Sequence, residues 1–447
     1  MRRFPLALTI AATLASPVAW ADEAALKAEI AELRTQVAEM KAQMKELAAQ
    51  NKAAPTSVAA APAAITTTPS PPPAQAALAA RVDRLEQTVS TQAEASSATT
   101  LFGYGEIAVN RPTHTPNQTQ ADLARAVLGW AHRFDDRTRM AVELEVEHAV
   151  ASAADKGEVE IEQFYVERQF TDRVGGRAGL MLVPIGLLNE HHEPTQYYSV
   201  YRNLVETAII PTTWREGGLA LYGGTESGLH WNVGLTTGFN LANWDPSSSE
   251  GRESPLGSIH QELSQASAHD WSGYVSLNYD GVPGWQLGGT VFTGKAGQGT
   301  PDFPAAKARV TLWEAHARWQ PGPFDFAALY ARGTISDTEA LNLTFIGQPT
   351  PVPKLFYGGY VQAAWRNSWA FKDYSLTPFT RYEWINTAAA YPPVPQGLGV
   401  AMTPTEQVWT TGADFLVSPS IVFKTNYQHY KVDSSKNSFQ VGFGLNF

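Results

Sequence analysis

Cysteine is absent from all 447 residues, so no disulfide stabilises any part of the chain. Long apolar runs are missing too: past the N-terminus no stretch approaches the ~18 consecutive apolar residues of a membrane-spanning helix, which excludes a helical membrane protein. Positive charge is scarce and nowhere clustered, with 33 Lys and Arg against 43 Asp and Glu and a formal charge of −10. Nucleic-acid binding draws on a basic face, so DNA and RNA are excluded as partners. The length would suit about three soluble domains at ~150 residues each, but closed β-structures commonly run longer.

What is present begins with an address. Arg2 and Arg3 precede an apolar stretch from Phe4 to about Ala15, and Ala19-Trp20-Ala21 follows as a small-x-small cleavage pattern. Charge, apolar core and cleavage site in that order describe a signal peptide over 1–21, with the mature chain starting at Asp22. Export permits disulfides, so a chain without cysteine draws its stability from elsewhere.

Leu26, Ile30, Leu33, Val37, Met40, Met44 and Leu47 alternate four and three residues apart. This keeps them on one helical stripe and predicts a coiled coil over 22–54, with Glu29 and Arg34 placed to pair between parallel neighbours. A single amphipathic helix on a globular core is the alternative, and the strict 3.5 period fits a narrow seam better. Residues 55–77 are rich in Pro and Ala, with six prolines between Pro55 and Pro73, and predict a stiff extended spacer. Leu78, Val82, Leu85 and Val89 repeat the helical spacing in a short second segment over 78–98.

From about Thr99 the chemistry changes: 46 of the 48 aromatic residues fall within 99–447, and helical periodicity gives way to alternation. Leu229 to Leu235 and Trp271 to Tyr279 read as strands with one apolar face. Trp271 and Tyr279 sit at the two ends of that face, where a membrane barrel carries aromatic girdles. Short turns read at 135–137, 171–173, 225–228, 280–284, 321–323 and 418–420. Longer links lie between them, near 111–120, 187–214, 241–269, 298–307, 338–353 and 388–405. Sixteen strands in 349 residues fit a porin-sized sheet. The fold class is therefore all-β, a 16-stranded antiparallel transmembrane barrel over 99–447 preceded by the coiled-coil helix. A soluble β-sandwich is the competing fold. An even strand count leaves both barrel ends on the periplasmic side, with the stalk. The chain closes on alternating apolar residues through Phe443, Leu445 and Phe447, which resembles the C-terminal strand by which bacterial outer-membrane barrels are recognised for insertion.

If the apolar set faces lipid, strand parity assigns the other set to the lumen. Val142, Leu144 and Val146 then point outward, and Glu143, Glu145 and Glu147 inward, with Glu158, Glu160 and Glu162 beside them on the next strand. Arg125, Arg133, Arg177, Arg318, Arg332, Arg366, Arg381 and Lys424 also come out inward, mixed with Glu314 and Glu383. The wall is thus polar and carries both signs; the carboxylates of the third and fourth strands are expected to bias it toward cations.

The link between the fifth and sixth strands carries Glu190, His191, His192, Glu193, Tyr198, Arg202 and Glu206. Such a loop folded into the lumen would set its narrowest aperture; the alternative is a cap packed over the mouth. Imidazole and carboxylate suit zinc or copper, yet adjacent residues seldom converge on one ion, so no metal is expected at Glu190 to Glu193. Gly289 to Ala296 spells a phosphate-binding loop until Ala296 removes the magnesium-binding hydroxyl. His192-Glu193 begins a zinc-protease pattern that Gln196 breaks. No grouping at catalytic spacing follows, so neither an enzyme nor a cofactor is expected.

Phe102-Gly103-Tyr104-Gly105-Glu106 and the run from Glu160 through Gly179, Pro184, Gly186, Glu193-Pro194, Arg202, Glu206, Ile210-Pro211 and Trp214 to Gly217 resemble the phosphate-selective porin O/P family of outer-membrane channels. The resemblance covers about three-quarters of the chain. It implies a sixteen-stranded homotrimeric channel, and the leading coiled coil is similar to that of related trimeric dicarboxylate channels. Phosphate-selective members guide anions with basic residues, whereas 99–447 here carries 24 Lys and Arg against 34 Asp and Glu. The expected function is a porin in the outer membrane of a Gram-negative bacterium, passing small hydrophilic solutes or ions. Its partners would be membrane lipid, the barrel-assembly machinery and, through the periplasmic stalk, peptidoglycan. The rival is a structural tether in which the barrel anchors the coiled coil.

Overall fold

The computed structural model describes residues 98–152 and 154–447. The signal peptide, coiled coil, spacer and nearly all of the second helical segment lie outside the described residues. Among the described residues, seventeen strands form one antiparallel sheet. The first five are β1 (Thr99–Pro112), β2 (Gln120–Asp135), β3 (Thr138–Glu147), β4 (Val159–Thr171) and β5 (Val174–Leu182). Then come β6 (Arg215–Gly224), β7 (Leu229–Thr236), β8 (Ser272–Tyr279), β9 (Trp285–Lys295), β10 (Arg309–Trp319) and β11 (Phe324–Ile335). The set ends with β12 (Leu355–Trp365), β13 (Trp369–Phe371), β14 (Tyr374–Ala390), β15 (Glu406–Ser418), β16 (Ile421–Tyr430) and β17 (Ser438–Asn446).

β17 pairs back onto β1, from Tyr104 opposite Asn446 to Pro112 opposite Ser438, and so closes the sheet. Closure leaves no exposed edge. The three-residue β13 prolongs the line of β12, since both pair with β14, so the wall is a 16-strand antiparallel barrel. Short turns lie at one end, together with the hairpin at 366–373; the links at 113–119, 148–158, 183–214, 237–271, 296–308, 336–354, 391–405 and 431–437 lie at the other.

Outward alternation follows the sequence pattern. Leu219, Leu235, Val275, Leu277, Val291, Phe423 and Val441 are exposed on the outer face. Stacked rings run across neighbouring strands near the short turns, Trp285 on Trp319 at 5.2 Å and Trp319 on Phe326 at 5.6 Å, continuing through Phe324 to Trp365. Aromatics in this position suit the polar–apolar boundary of a bilayer. Phe443, Leu445 and Phe447 are on the outer face, and Phe447 exchanges two backbone hydrogen bonds with Gly103 at the seam.

The interior departs from a purely polar lining. Near the long links, inward side chains of the wall such as Phe292, Leu312, Ala331, Ile335 and Phe356 pack with Trp214, Phe239, Leu256 and Ile259 from links folded inside. Trp214 lies 4.5 Å from Phe292 and 5.1 Å from Phe239, ring centre to ring centre. This corrects one assignment. On β11 the apolar residues at that end face inward and Arg332 is exposed on the outer side, because the packed links reverse which face is apolar.

Candidate functional site

The link 183–214 is held inside the barrel along most of its length. Its two ends are tied together by Asn189, whose amide donates to the carbonyls of Val183 and Trp214 at 2.8 Å each and accepts from the Trp214 amide at 2.7 Å. The link then descends toward the short-turn end. Pro194 packs on Gly444, and Val200 packs on Gly442, where the added Cβ of any other residue would sit 2.8 Å from Val200. The two glycines that punctuate the last strand's inner face therefore make room for the link.

The descending part is fastened on several sides. Tyr197 donates to Glu106 of β1 at 2.5 Å, and its carbonyl accepts from Lys424 of β16 at 2.8 Å. Tyr198 stacks on Phe379 and donates to Asp325 of β11 at 3.0 Å. Burial and then Asp325 push the Tyr198 hydroxyl above its ordinary range, so it stays a donor. Ser199 turns the chain at φ +79°, a conformation rarely occupied by residues other than glycine, and its hydroxyl accepts from Arg381 of β14 at 3.2 Å.

On the return, Val200 N–H donates to Asn426 at 2.8 Å and Leu204 N–H to Glu383 at 2.7 Å. Glu206 ends the ascent in a one-turn π-helix, Val205–Ile209. Its carboxylate accepts from the backbone of Leu187 and Leu188 at 2.6 and 2.8 Å, from Asn203 at 2.7 Å and from Tyr360 of β12 at 3.0 Å. Burial pushes this carboxyl up, and those four donors oppose the shift. Gly186, at φ +72°, lies so close to Glu206 that a Cβ would strike the carboxylate.

The predicted charges fall into paired groups. Arg125 of β2 is 3% exposed; it bonds Glu106 at 2.8 Å, lies 4.0 Å from Glu145 and donates to the His192 carbonyl. Arg177 pairs with Glu167 at 3.0 Å and stands 3.9 Å from Glu190. Arg318 grips Asp325 with two bonds of 2.9 and 2.6 Å, and Arg381 pairs with Glu383 at 2.8 Å. Glu314 meets His316 at 2.9 Å.

The remaining predicted residues are distributed as follows. Glu143 and Glu145 are inward as parity required, but at 8% and 2% exposure they are covered rather than open to the interior space. Glu147 is half-buried at the end of β3 and Arg133 exposed near the end of β2. His191 is exposed, whereas His192 is buried beside Glu162 and Glu193 is half-buried. Arg202 turns back on its own link, donating to Thr212 at 2.5 Å and Thr213 at 2.7 Å. Arg366 lies just past the end of β12 and donates to the Gly322 carbonyl at 2.7 Å.

Two interior cavities meet at the link. One of about 250 Å³ is lined by His191, Tyr198, Tyr360, Gln362 and Arg381 among others, and one of about 190 Å³ by Thr195, Arg366, Asn367, Thr377 and Asp414. Gln196, Tyr197, Tyr198 and Arg318 line both, so these four residues stand between the two cavities. Arg318 keeps about a third of its side chain exposed there, while its partner Asp325 is 1% exposed behind it.

Tyr104, Glu106, Asn189, Tyr197 and Asp325 were not singled out as site residues by sequence reasoning. Strand parity places Tyr104 and Glu106 on one face of β1, which was a usable signal; nothing local identified Asn189 or Asp325.

No family model matches the chain. Of the solved structures, OmpF from Salmonella typhi, in complex with daunomycin, superposes with a TM-score of 0.53 at 14% identity, over 78% of this chain and 97% of that one. The fold is that of the outer-membrane porins. The outer-membrane channel DcaP of Acinetobacter baumannii is also similar, at 11% identity and a TM-score of 0.48, over 78% of this chain and 97% of its own. By sequence, an uncharacterised protein of Aquifex aeolicus is 27% identical over 336 residues, covering 73% of this chain and 74% of the relative. The porin-type barrel therefore rests on its closed topology and on the likeness to OmpF.

Proposed function

We propose that the chain is an outer-membrane porin that lets small hydrophilic solutes or ions diffuse passively through the barrel, with the link 183–214 as its constriction. The two cavities that share Gln196, Tyr197, Tyr198 and Arg318 support this reading: these four residues would form a neck through which a polar path passes the link. Glu190, His191, His192, Glu193, Tyr198, Arg202 and Glu206 divide the work. Tyr198 and His191 border the path, while His192, Arg202 and Glu206 hold the link in place. A reaction needs a positioned nucleophile or acid–base pair facing a substrate, and the reading assigns none.

The porin O/P resemblance supports a homotrimer with the coiled coil as a periplasmic trimerising stalk near peptidoglycan. Phe443, Leu445 and Phe447 would present the terminal strand to the barrel-assembly machinery. No residue is proposed as a phosphate site.

Selectivity depends on which charges face the path. Glu143 and Glu145 lie under the link, whereas Arg318 borders the neck with its counter-ion behind it. Reversal potentials in a potassium chloride gradient are therefore expected to move toward cations in Arg318→Gln and to move less in Glu143→Gln with Glu145→Gln. A larger shift from the two carboxylates would contradict the proposed path. The tether reading gains if a folded barrel conducts nothing.

A further inference from the structure

Beneath the link, three side chains from three elements converge. Glu143 of β3, Glu162 of β4 and His192 of the link each offer one ligand atom, and these atoms lie within 4.8 Å of one another. All three are buried, at 8%, 0% and 3% exposure. Sequence spacing hides this group, since it joins two strands to a distant loop. A register shift helps to build it: Glu143 pairs with Gln163 but Leu144 with Ile161, which leaves Glu162 as the extra residue of a bulge. Bulges re-aim side chains in this way.

The tautomer of His192 is set by its surroundings. Nδ1 lies 2.9 Å from the Asn189 carbonyl, which can only accept, so Nδ1 carries a proton. In the neutral ring Nε2 then presents a lone pair, and it faces a Glu162 carboxylate oxygen at 2.8 Å. Two lone pairs at that distance need either a proton or a metal ion to bridge them, and the Tyr104 hydroxyl lies 2.7 Å from the same Nε2. Histidines that ligate metals commonly have the other ring nitrogen held by a carbonyl in this manner. Tyr104, which donates to the second Glu162 oxygen at 2.9 Å, fixes the carboxylate in turn.

Charge bookkeeping points the same way. One oxygen each of Glu143, Glu145 and Glu193 is buried with no hydrogen-bond partner. The nearest guanidinium, Arg125, is bonded to Glu106 and comes only within 4.0 Å of Glu145. Buried carboxylates without donors or counter-charge are costly. A divalent cation at the cluster would take up the unpartnered oxygens of Glu143 and Glu162 together.

The geometry points to a divalent transition-metal site, of the zinc or manganese kind, formed by His192 Nε2 and the carboxylates of Glu143 and Glu162. One imidazole with two carboxylates suits such ions. The metal would staple the link to β3 and β4, which makes it a structural site independent of what the channel passes.

The test uses the full chain, folded in detergent, stripped with chelator and titrated with Co²⁺ while its visible absorption is followed; zinc content is measured after dialysis against Zn²⁺. Folding of every variant is checked by the heat-dependent shift of its gel mobility. Expected is about one metal per chain, with affinity reduced more than about tenfold in His192→Asn and in Glu162→Gln and unchanged in Glu190→Gln. Should either variant fail to fold, Glu143→Gln serves in its place with the same expected loss. A folded wild type that takes up no stoichiometric metal at millimolar Co²⁺ or Zn²⁺ overturns the proposal and assigns the gap between His192 and Glu162 to a proton. Equal binding by wild type and the ligand variants overturns it as well.

Discussion

Arg125→Met is expected to destabilise the folded barrel by about 3–5 kcal/mol, the range typical of removing one partner from a buried ion pair. The guanidinium is the cation that Glu106 and Glu145 share, and it also donates to the His192 carbonyl of the link. It lies over the Tyr104 ring at 5.0 Å from its centre, so packing is lost along with charge. Met keeps much of the volume and leaves the carboxylates stranded. Urea titration of the folded population, followed by tryptophan fluorescence and gel mobility, measures the change. Adding Glu106→Gln to Arg125→Met is expected to recover part of the loss, because the second change removes one stranded charge. A single-variant cost below about 1 kcal/mol, on the scale of exposed pairs, would show that the network does not hold the link.

Glu206→Ala is expected to have the largest effect on conduction. It strips acceptors from the Leu187 and Leu188 amides, the Asn203 side chain and Tyr360, so the returning half of the link loses its fastening to the starting half and to β12. Each buried donor left unsatisfied costs about 1–3 kcal/mol, enough together to free the link while the strand ladder stays paired. Single-channel conductance should rise at least twofold with added flicker, and protease should cut within 187–206 in the folded protein. Glu206→Gln keeps a carbonyl acceptor and should fall between the two. Unchanged conductance and an uncut link in Glu206→Ala would remove Glu206 from the constriction.

Much of this architecture was legible in the chain because a barrel writes its own period. One side of each strand must be apolar, turn lengths must alternate, and the last strand must close on the first. The reading of Phe439 to Phe447 as the final strand rested on that period, and the strand pairs with β1 and β16. The hairpin at 366–373, which carries Trp369 and Phe371 on a three-residue strand, is not among the turns that the sequence marks.

Arg332 shows where the period misleads. It was placed inward on the premise that apolar residues face lipid, and that premise fails where folded-in links give the barrel an apolar interior. The interior contacts were the least legible part. His192 meets Tyr104 across 88 positions, and Tyr198 meets Asp325 across 127. Pairings over such separations are set by how the link packs, which no local spacing encodes. Even so, the glycines at 442 and 444 that admit the link were visible as a regular feature of the last strand.

The most direct test of the central claim is single-channel conductance of the purified protein in a planar bilayer, wild type beside a variant in which 190–204 is replaced by a short Gly-Ser turn. Discrete conducting steps for the wild type, and clearly larger steps for the shortened link, are the predicted result. A folded wild type that stays silent, or a shortened link that conducts no better, would contradict a passive channel narrowed by this loop.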